Sequence, residues 1–308
     1  MTPDEHTIQE LFIEVGHGHQ LYVHEWGKAT AQTPIVFLHG GPGGGCGDGH
    51  KSYFDPTQHR VIFFDQRGSG RSLPYGSLEH NTTSDLVDDI ERIANHLHLK
   101  QFVLKGGSWG VALALAYALE HPERVQAMIL NGIFTGAQAE IDYFDHGEFR
   151  TYFPEAWEKY LAATPKSHHR SPSKYHFAQA LGIDPQAARE SAFAYSTLEY
   201  ELLGLDDRAH PNKLDEFDPA SAIVEIHYLA NRCFIPDRYI LHNAHKLTMP
   251  IWLVQGRYDM VCPATTAHEL HKKLPNSQLI WTIAGHKGSD RANYDAVRAL
   301  LLQFAGVK

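Results

Sequence analysis

A serine at 108, an aspartate at 259 and a histidine at 286 carry the side-chain chemistry of a nucleophile, an orienting acid and a general base. The serine lies in "GGSWG" (106–110), a G-x-S-x-G pattern with an apolar run before it and a helix-forming run after it. A serine so placed stands on a sharp strand-to-helix turn, where neighbours without Cβ let the chain pass close by. The start of the following helix aims unpaired N–H groups at any anion that forms beside Ser108. A glycine-rich turn of this kind could instead cradle a phosphate. It would then read G-x-G-x-x-G or end in G-K-[ST], and this one does neither.

A serine hydroxyl is a weak nucleophile until a base takes its proton. "VQGRYDMVCP" leaves Asp259 just past one apolar run, and "WTIAGHKGSD" leaves His286 just past the next. Taken singly, Asp259 reads as a turn residue and His286 is one histidine of 22. Their joint placement at consecutive strand ends, in the chain order Ser, Asp, His of the α/β-hydrolases, is what carries the assignment. Acyl transfer also needs donors for an oxyanion. "FLHGGPGGG" (37–45) follows a further apolar run, and the amides of Gly41 and Trp109 are the expected pair.

These residues need a frame. "IQELFIEV" and "QLYVHEW" suit an opening antiparallel pair, and "PIVFLHG", "RVIFFDQRG", "QFVLKGG", "VQAMILNG", "PIWLVQGRYD" and "QLIWTIAGH" are compact apolar runs. Near-continuous apolarity marks strands covered on both faces by helices. Helical patterns fall between them at 82–98, 109–120, 264–273 and 290–304. The sequence therefore predicts an α/β fold with a mostly parallel, doubly wound central sheet. Residues from about 135 to 240 break the rhythm: they are aromatic-rich, helical and dotted with proline, with no buried-strand pattern. Because the β/α alternation restarts behind them, they are expected to be an inserted helical cap over the C-terminal edge of the sheet, where open α/β folds bind ligands. The expected division is a hydrolase core of 1–134 with 241–308 and a cap domain of 135–240.

Composition narrows the function. A net charge of -9 and a pI near 6.2, with no basic run, argue against nucleic acid and anionic membranes as partners. No stretch approaches 18 apolar residues and the N-terminus lacks the basic and apolar regions of a signal peptide, so a cytoplasmic protein is expected. Cys46, Cys233 and Cys262 are too few and scattered for a disulfide framework or a zinc site, and the dispersed histidines have no ligand spacing. No metal or organic cofactor is expected.

Beyond the triad pattern, "HGGPGGG", "DQRGSGRS" (65–72), "GGSWGVALALAYALEHPERV", "GRYDM" (256–260), "NGIF" (131–134) and "YFPEAWE" (152–158) together resemble the proline iminopeptidases over nearly the whole chain. The resemblance implies an α/β-hydrolase-fold serine peptidase of the cytosol that releases an N-terminal proline. It puts the nucleophile on Ser108, the acid on Asp259, the base on His286 and the oxyanion donors on Gly41 and Trp109. It also implies two cap carboxylates that hold the substrate's amino group. The family's W-x-x-W-E is matched by "YSTLE" (195–199), giving Glu199, and its E-x-H-Y-F by "EIHYL" (225–229), giving Glu225. Phe134 stands where the family packs an aromatic ring on proline, and Phe144 where a tyrosine is usual.

The departures crowd the cap. The tryptophans of W-x-x-W-E are Tyr195 and Leu198, and the arginine of the family's R-G-I-F is Asn131. A related hydrolase acting on another small N-terminal residue, an amino-acid amide or an ester is therefore the alternative within the class. A binding protein that has lost turnover is the alternative outside it, and the intact triad pattern speaks against that one.

Overall fold

Each compact apolar run of the sequence is a strand of one eight-stranded sheet in the computed structural model, which describes residues 4–204 and 213–304. In chain order the strands are β1 (Thr7–Gly16), β2 (His19–Gly27), β3 (Pro34–Leu38), β4 (Arg60–Phe64), β5 (Phe102–Ser108), β6 (Val125–Ile133), β7 (Ile251–Gly256) and β8 (Ser277–Thr282). They lie side by side as β1-β2-β4-β3-β5-β6-β7-β8. The β1–β2 and β2–β4 pairs are antiparallel, and every pair from β4 across to β8 is parallel. The chain winds outward in both directions from β3 and β5, so the crevice beyond their C-terminal ends is the switch point where such sheets bind ligands.

Side chains alternate between two buried cores. Val36, Leu38, Phe102 and Leu104 face one, and Ile35, Phe37 and Val103 face the other. The longer helices are α1 (Thr83–His96), α2 (Trp109–Glu120), α3 (Pro154–Ala162), α4 (Pro172–Ala180), α5 (Pro185–Leu203), α6 (Ala220–Ala230), α7 (Ala264–Lys273) and α8 (Arg291–Gln303). Helix α2 is apolar around its whole circumference and buried from Trp109 to Ala118, as a central helix must be. Helix α1 starts on a capping box, in which Thr82 Oγ1 accepts from Asp85 N and Asp85 Oδ2 accepts from Thr82 N. On the opposite face of the sheet, α8 supplies Val297, Leu300 and Leu301.

Among the described residues, β6 and β7 are joined by helices and turns with no strand. Helices α3, α4 and α5 each open on proline, whose missing N–H would have been unpaired in a first turn anyway. This helical stretch is bonded to the sheet's loops. Ser221 Oγ at the start of α6 donates to Gly43 O at 2.9 Å, and Tyr228 donates to Asn81 Oδ1 at 2.7 Å. Leu203 O, at the end of α5, accepts from the backbone N–H groups of His286 and Lys287 at 2.9 and 3.0 Å. No helix among the described residues is long and apolar enough to cross a membrane.

The strand ends a little earlier than the apolar run. β8 stops at Thr282, four residues before His286, which lies beyond the strand as expected. Beyond it Ala284 O accepts from Tyr258 N, and Gly285 N donates to Asp290 Oδ2 at 2.8 Å, so the chain leaves the ladder as a shaped loop that carries His286.

Candidate active site

Ser108 is the last residue of β5 and the N-cap of α2, with φ +54° and ψ −124°. For a residue with a Cβ this conformation costs on the order of 1–3 kcal/mol, which the surrounding packing must hold. The flanking glycines show how. A Cβ on Gly106 would lie 2.4 Å from Gly110 O, and one on Gly110 would lie 2.2 Å from Leu38 O. Both contacts are with backbone, so nothing larger than glycine lets β3, β5 and α2 close around the turn.

The acid and base come from the loops after β7 and β8. Asp259 Oδ2 accepts from His286 Nδ1 at 2.8 Å and from Gln255 Nε2 at 3.1 Å. Its Oδ1 accepts from the N–H groups of Val261 and Cys262 at 3.0 and 2.7 Å. Gln255 is fixed in turn, because its Oε1 accepts from Ile133 N at 2.8 Å. The carboxylate is therefore held in one orientation, and it fixes the proton of His286 on Nδ1. Burial works to lower the His286 pKa, but the charge and hydrogen bond of Asp259 outweigh it and the ring ends above its ordinary value. The ring also packs against Gly132, where a Cβ would lie 2.9 Å from His286 Cε1. His286 and Ser108 line one cavity of ≈ 370 Å³.

The loop after β3 approaches Ser108 from the other side. A Cβ on Gly40 would lie 3.3 Å from Ser108 Cβ, and Gly41, with φ +107°, lines a second cavity together with Ser108. Two side chains set this loop. His39 Nε2 accepts from Gln66 N at 3.0 Å, and its Nδ1 lies 2.9 Å from Gly40 O and 3.2 Å from Gly45 N. Gln66 joins the loop to the helix start, donating to His39 O and accepting from Trp109 Nε1 at 2.9 Å. As the first residue of α2, Trp109 has a backbone N–H with no acceptor inside the helix. Gly43 is pressed under α6, where a Cβ would lie 2.5 Å from Ser221 O.

The second cavity is acidic and aromatic. Gly41, Ser108, Phe134, Phe144, Tyr195, Glu199 and Glu225 all line it. Glu199, one turn before the end of α5, and Glu225 on α6 share a hydrogen bond, and Tyr195 donates to Glu225 Oε1 at 3.4 Å. Burial and the nearby Glu199 charge push Glu225 well above the ordinary carboxyl range, and burial raises Glu199 as well. A hydrogen bond between two carboxyls requires that one of them carry a proton, which the raised pKa of both favours.

Every sequence-predicted residue thus borders these two cavities or stands directly behind them. Two neighbours were missed. Glu140 accepts from Thr135 N, Thr135 Oγ1 and Ala137 N, and so shapes the turn that follows Phe134. Its signal was a lone glutamate three residues after a turn, which looks like a surface residue. Lys105 stands inside β5 with its ammonium on Asn131 Oδ1 at 2.5 Å. A lysine within "QFVLKGG" was the available signal, hidden because the run reads as apolar without it.

Residues 33–287 match the family model described as alpha/beta hydrolase fold. The chain is 41% identical over 277 residues to a protein called probable proline iminopeptidase from Leptolyngbya boryana, covering 88% of this chain and 86% of that one. It is 38% identical over 286 residues to a proline iminopeptidase of Arabidopsis thaliana (90% and 75% covered) and 39% identical over 302 residues to one of Xanthomonas citri (96% of each). Among solved structures, an esterase from Exiguobacterium antarcticum superposes with a TM-score of 0.66 at 18% identity, over 97% of this chain and 100% of that one. A proline iminopeptidase of Mycobacterium smegmatis gives 0.63 at 18% identity, over 96% and 99%. At such identities the structural likeness concerns the fold alone.

Proposed function

Because this chain belongs to the α/β-hydrolase family, and within it to the proline iminopeptidases that release an N-terminal proline, we propose that Ser108, Asp259 and His286 perform that hydrolysis. His286, oriented by Asp259, takes the Ser108 proton as Oγ attacks the carbonyl of the N-terminal residue. The oxyanion that forms accepts hydrogen bonds from the amides of Gly41 and Trp109. His286 then gives its proton to the leaving amine, the peptide leaves, and a water activated by the same ring hydrolyses the prolyl ester on Ser108.

Glu199 and Glu225 bind the substrate's protonated amine, and Phe134 and Phe144 enclose the pyrrolidine ring. An arriving ammonium favours the charged form of the glutamates, so binding releases the proton that the empty pair shares. Substrates with a blocked N-terminus, and internal peptide bonds, lack the cation and leave two buried carboxyls facing each other. In this reading 135–240 is the cap that brings both glutamates, and 1–134 with 241–308 is the core that brings the triad. The substrate is a small peptide. A cytoplasmic site of action belongs to the same proposal and is supported by the unpaired state of Cys46, Cys233 and Cys262.

The observation that carries the assignment is that Ser108 and the Glu199–Glu225 pair line one cavity. Turnover of proline 4-nitroanilide and its N-acetyl derivative tests it. The free amine is cleaved and the acetylated compound is not; equal turnover of the two would remove the amine clamp.

A further inference from the structure

Ser108 stands between two cavities of opposite electrostatic character. The one holding Phe134 and Phe144 is lined by Glu140, Glu199 and Glu225 and, among the described residues, by no lysine or arginine. The other, of ≈ 370 Å³, is lined by Lys105, Lys287 and His50 and, among the described residues, by no aspartate or glutamate. Since the first takes the N-terminal residue, the second lies where the leaving group must go.

Lys105 is the unusual member. Alternation along β5 points it toward the core that contains Val103 and Phe37, and it is only 2% exposed. Its ammonium lies 5.7 and 5.8 Å from the ring centres of Phe37 and Tyr53, and it donates to Gly106 O at 3.0 Å and Asn131 Oδ1 at 2.5 Å. Both acceptors are neutral. An ammonium has three protons to donate, so one donor and the whole charge remain uncompensated by these bonds. A buried lysine without a carboxylate is costly, and burial pushes its pKa down to about 7. His50 beside it is pushed down to about 4 by its own burial and so adds no charge near neutrality.

The position relative to the nucleophile is equally specific. Asn131 Oδ1, which holds the ammonium, lies 3.3 Å from where a Cβ on Gly107 would sit. The cation is therefore brought beside the residue that precedes Ser108. It stands on Asn131, the position where the family resemblance leads one to expect an arginine.

We propose that Lys105 binds a carboxylate carried by the residue immediately after the scissile bond, so that the enzyme selects short zwitterionic peptides whose two ends match the two cavities. The inference rests on the aminopeptidase reading and adds the leaving-group side to it. The carboxylate has two chemical sources, the C-terminus of a dipeptide or the side chain of an acidic residue after proline.

The test compares kcat/KM for Pro-Gly, Pro-Gly-amide, Pro-Asp-amide and proline 4-nitroanilide in the wild type and in Lys105→Met, which keeps an unbranched chain one atom shorter and removes the charge. The wild type favours Pro-Gly over Pro-Gly-amide by roughly tenfold or more, the effect of one charged hydrogen bond, mainly through KM. In Lys105→Met that ratio falls toward one. A Pro-Asp-amide that recovers the wild-type preference assigns the site to side-chain carboxylates as well, and one that does not restricts it to dipeptides. Should the variant fail to fold, product inhibition of the wild type decides: glycine inhibits more strongly than glycinamide. A wild-type ratio near one, a preference that survives Lys105→Met, or equal inhibition by the two products overturns the inference while leaving the arylamide turnover intact. Absence of arylamide turnover would overturn the aminopeptidase reading, and this inference with it.

Discussion

Replacing Asp259 by asparagine changes one atom and is predicted to disable the site through the histidine. All four partners of the carboxylate are donors: the N–H groups of Val261 and Cys262 on Oδ1, and Gln255 Nε2 and His286 Nδ1 on Oδ2. An asparagine has one oxygen and one NH2 group, so either orientation sets a donor against donors. Keeping the oxygen on the two backbone N–H groups preserves more bonds and turns the NH2 toward His286. The ring must then accept at Nδ1 and carry its proton on Nε2, the nitrogen needed to take the proton of Ser108. Loss of the correct tautomer costs about 10⁴-fold in kcat where it has been engineered in a triad, equivalent to about 5.5 kcal/mol of barrier. The NH2 group also faces Gln255 Nε2, a buried donor conflict worth about 1–3 kcal/mol of stability. Asp259→Asn is therefore expected to melt a few degrees lower, remain folded, and release 4-nitroaniline from proline 4-nitroanilide about 10⁴-fold more slowly. A folded variant within about tenfold of the wild-type rate would refute the role given to Asp259.

Three further outcomes follow from the same geometry. His286 must be neutral to act as base and its pKa lies above the ordinary imidazole value, so kcat/KM is full at higher pH and falls as pH drops through a midpoint above about 6.5. An acid limb centred below 6 would contradict this. Glu199→Gln removes one charge from the amine clamp and lowers kcat/KM for proline 4-nitroanilide about 10- to 100-fold. It also shifts the acid limb to lower pH, because the Glu199 charge helps to hold the His286 proton; an unmoved limb with unchanged kcat/KM would exclude both effects. Gly110→Ala drives a Cβ to 2.2 Å from Leu38 O, and is expected to cost about 1–3 kcal/mol of stability and about 100-fold in activity. Gly47→Ala, where a Cβ meets nothing within 4 Å, is the control for the melting curves, and equal melting temperatures for the two would argue against a strained turn.

The frame was legible because strands buried on both faces have few polar positions to blur them. "PIVFLHG" and "VQAMILNG" could be little else, and the tight "GGSWG" announces a turn that admits only glycine at 106 and 110. The triad was legible because Asp259 and His286 follow consecutive runs of the same kind. The supports behind it were not. Gln255 and Gln66 each bridge groups far apart in the chain, and nothing local distinguishes such a glutamine from one in solvent. The bond from the end of α5 to the His286 loop is made by backbone alone and leaves no trace in side-chain identity. Lys105 was hidden by its setting, since a lone lysine in an apolar strand normally snorkels its ammonium to water. Only the tertiary arrangement shows that Phe37, Tyr53 and Asn131 close over it.

Labelling with a fluorophosphonate, followed by peptide mapping, tests most directly whether the strained serine is the nucleophile. One adduct on Ser108, abolished in Ser108→Ala together with proline release, is the predicted result. An adduct on another residue, or a Ser108→Ala variant that still releases proline at the wild-type rate, would contradict it.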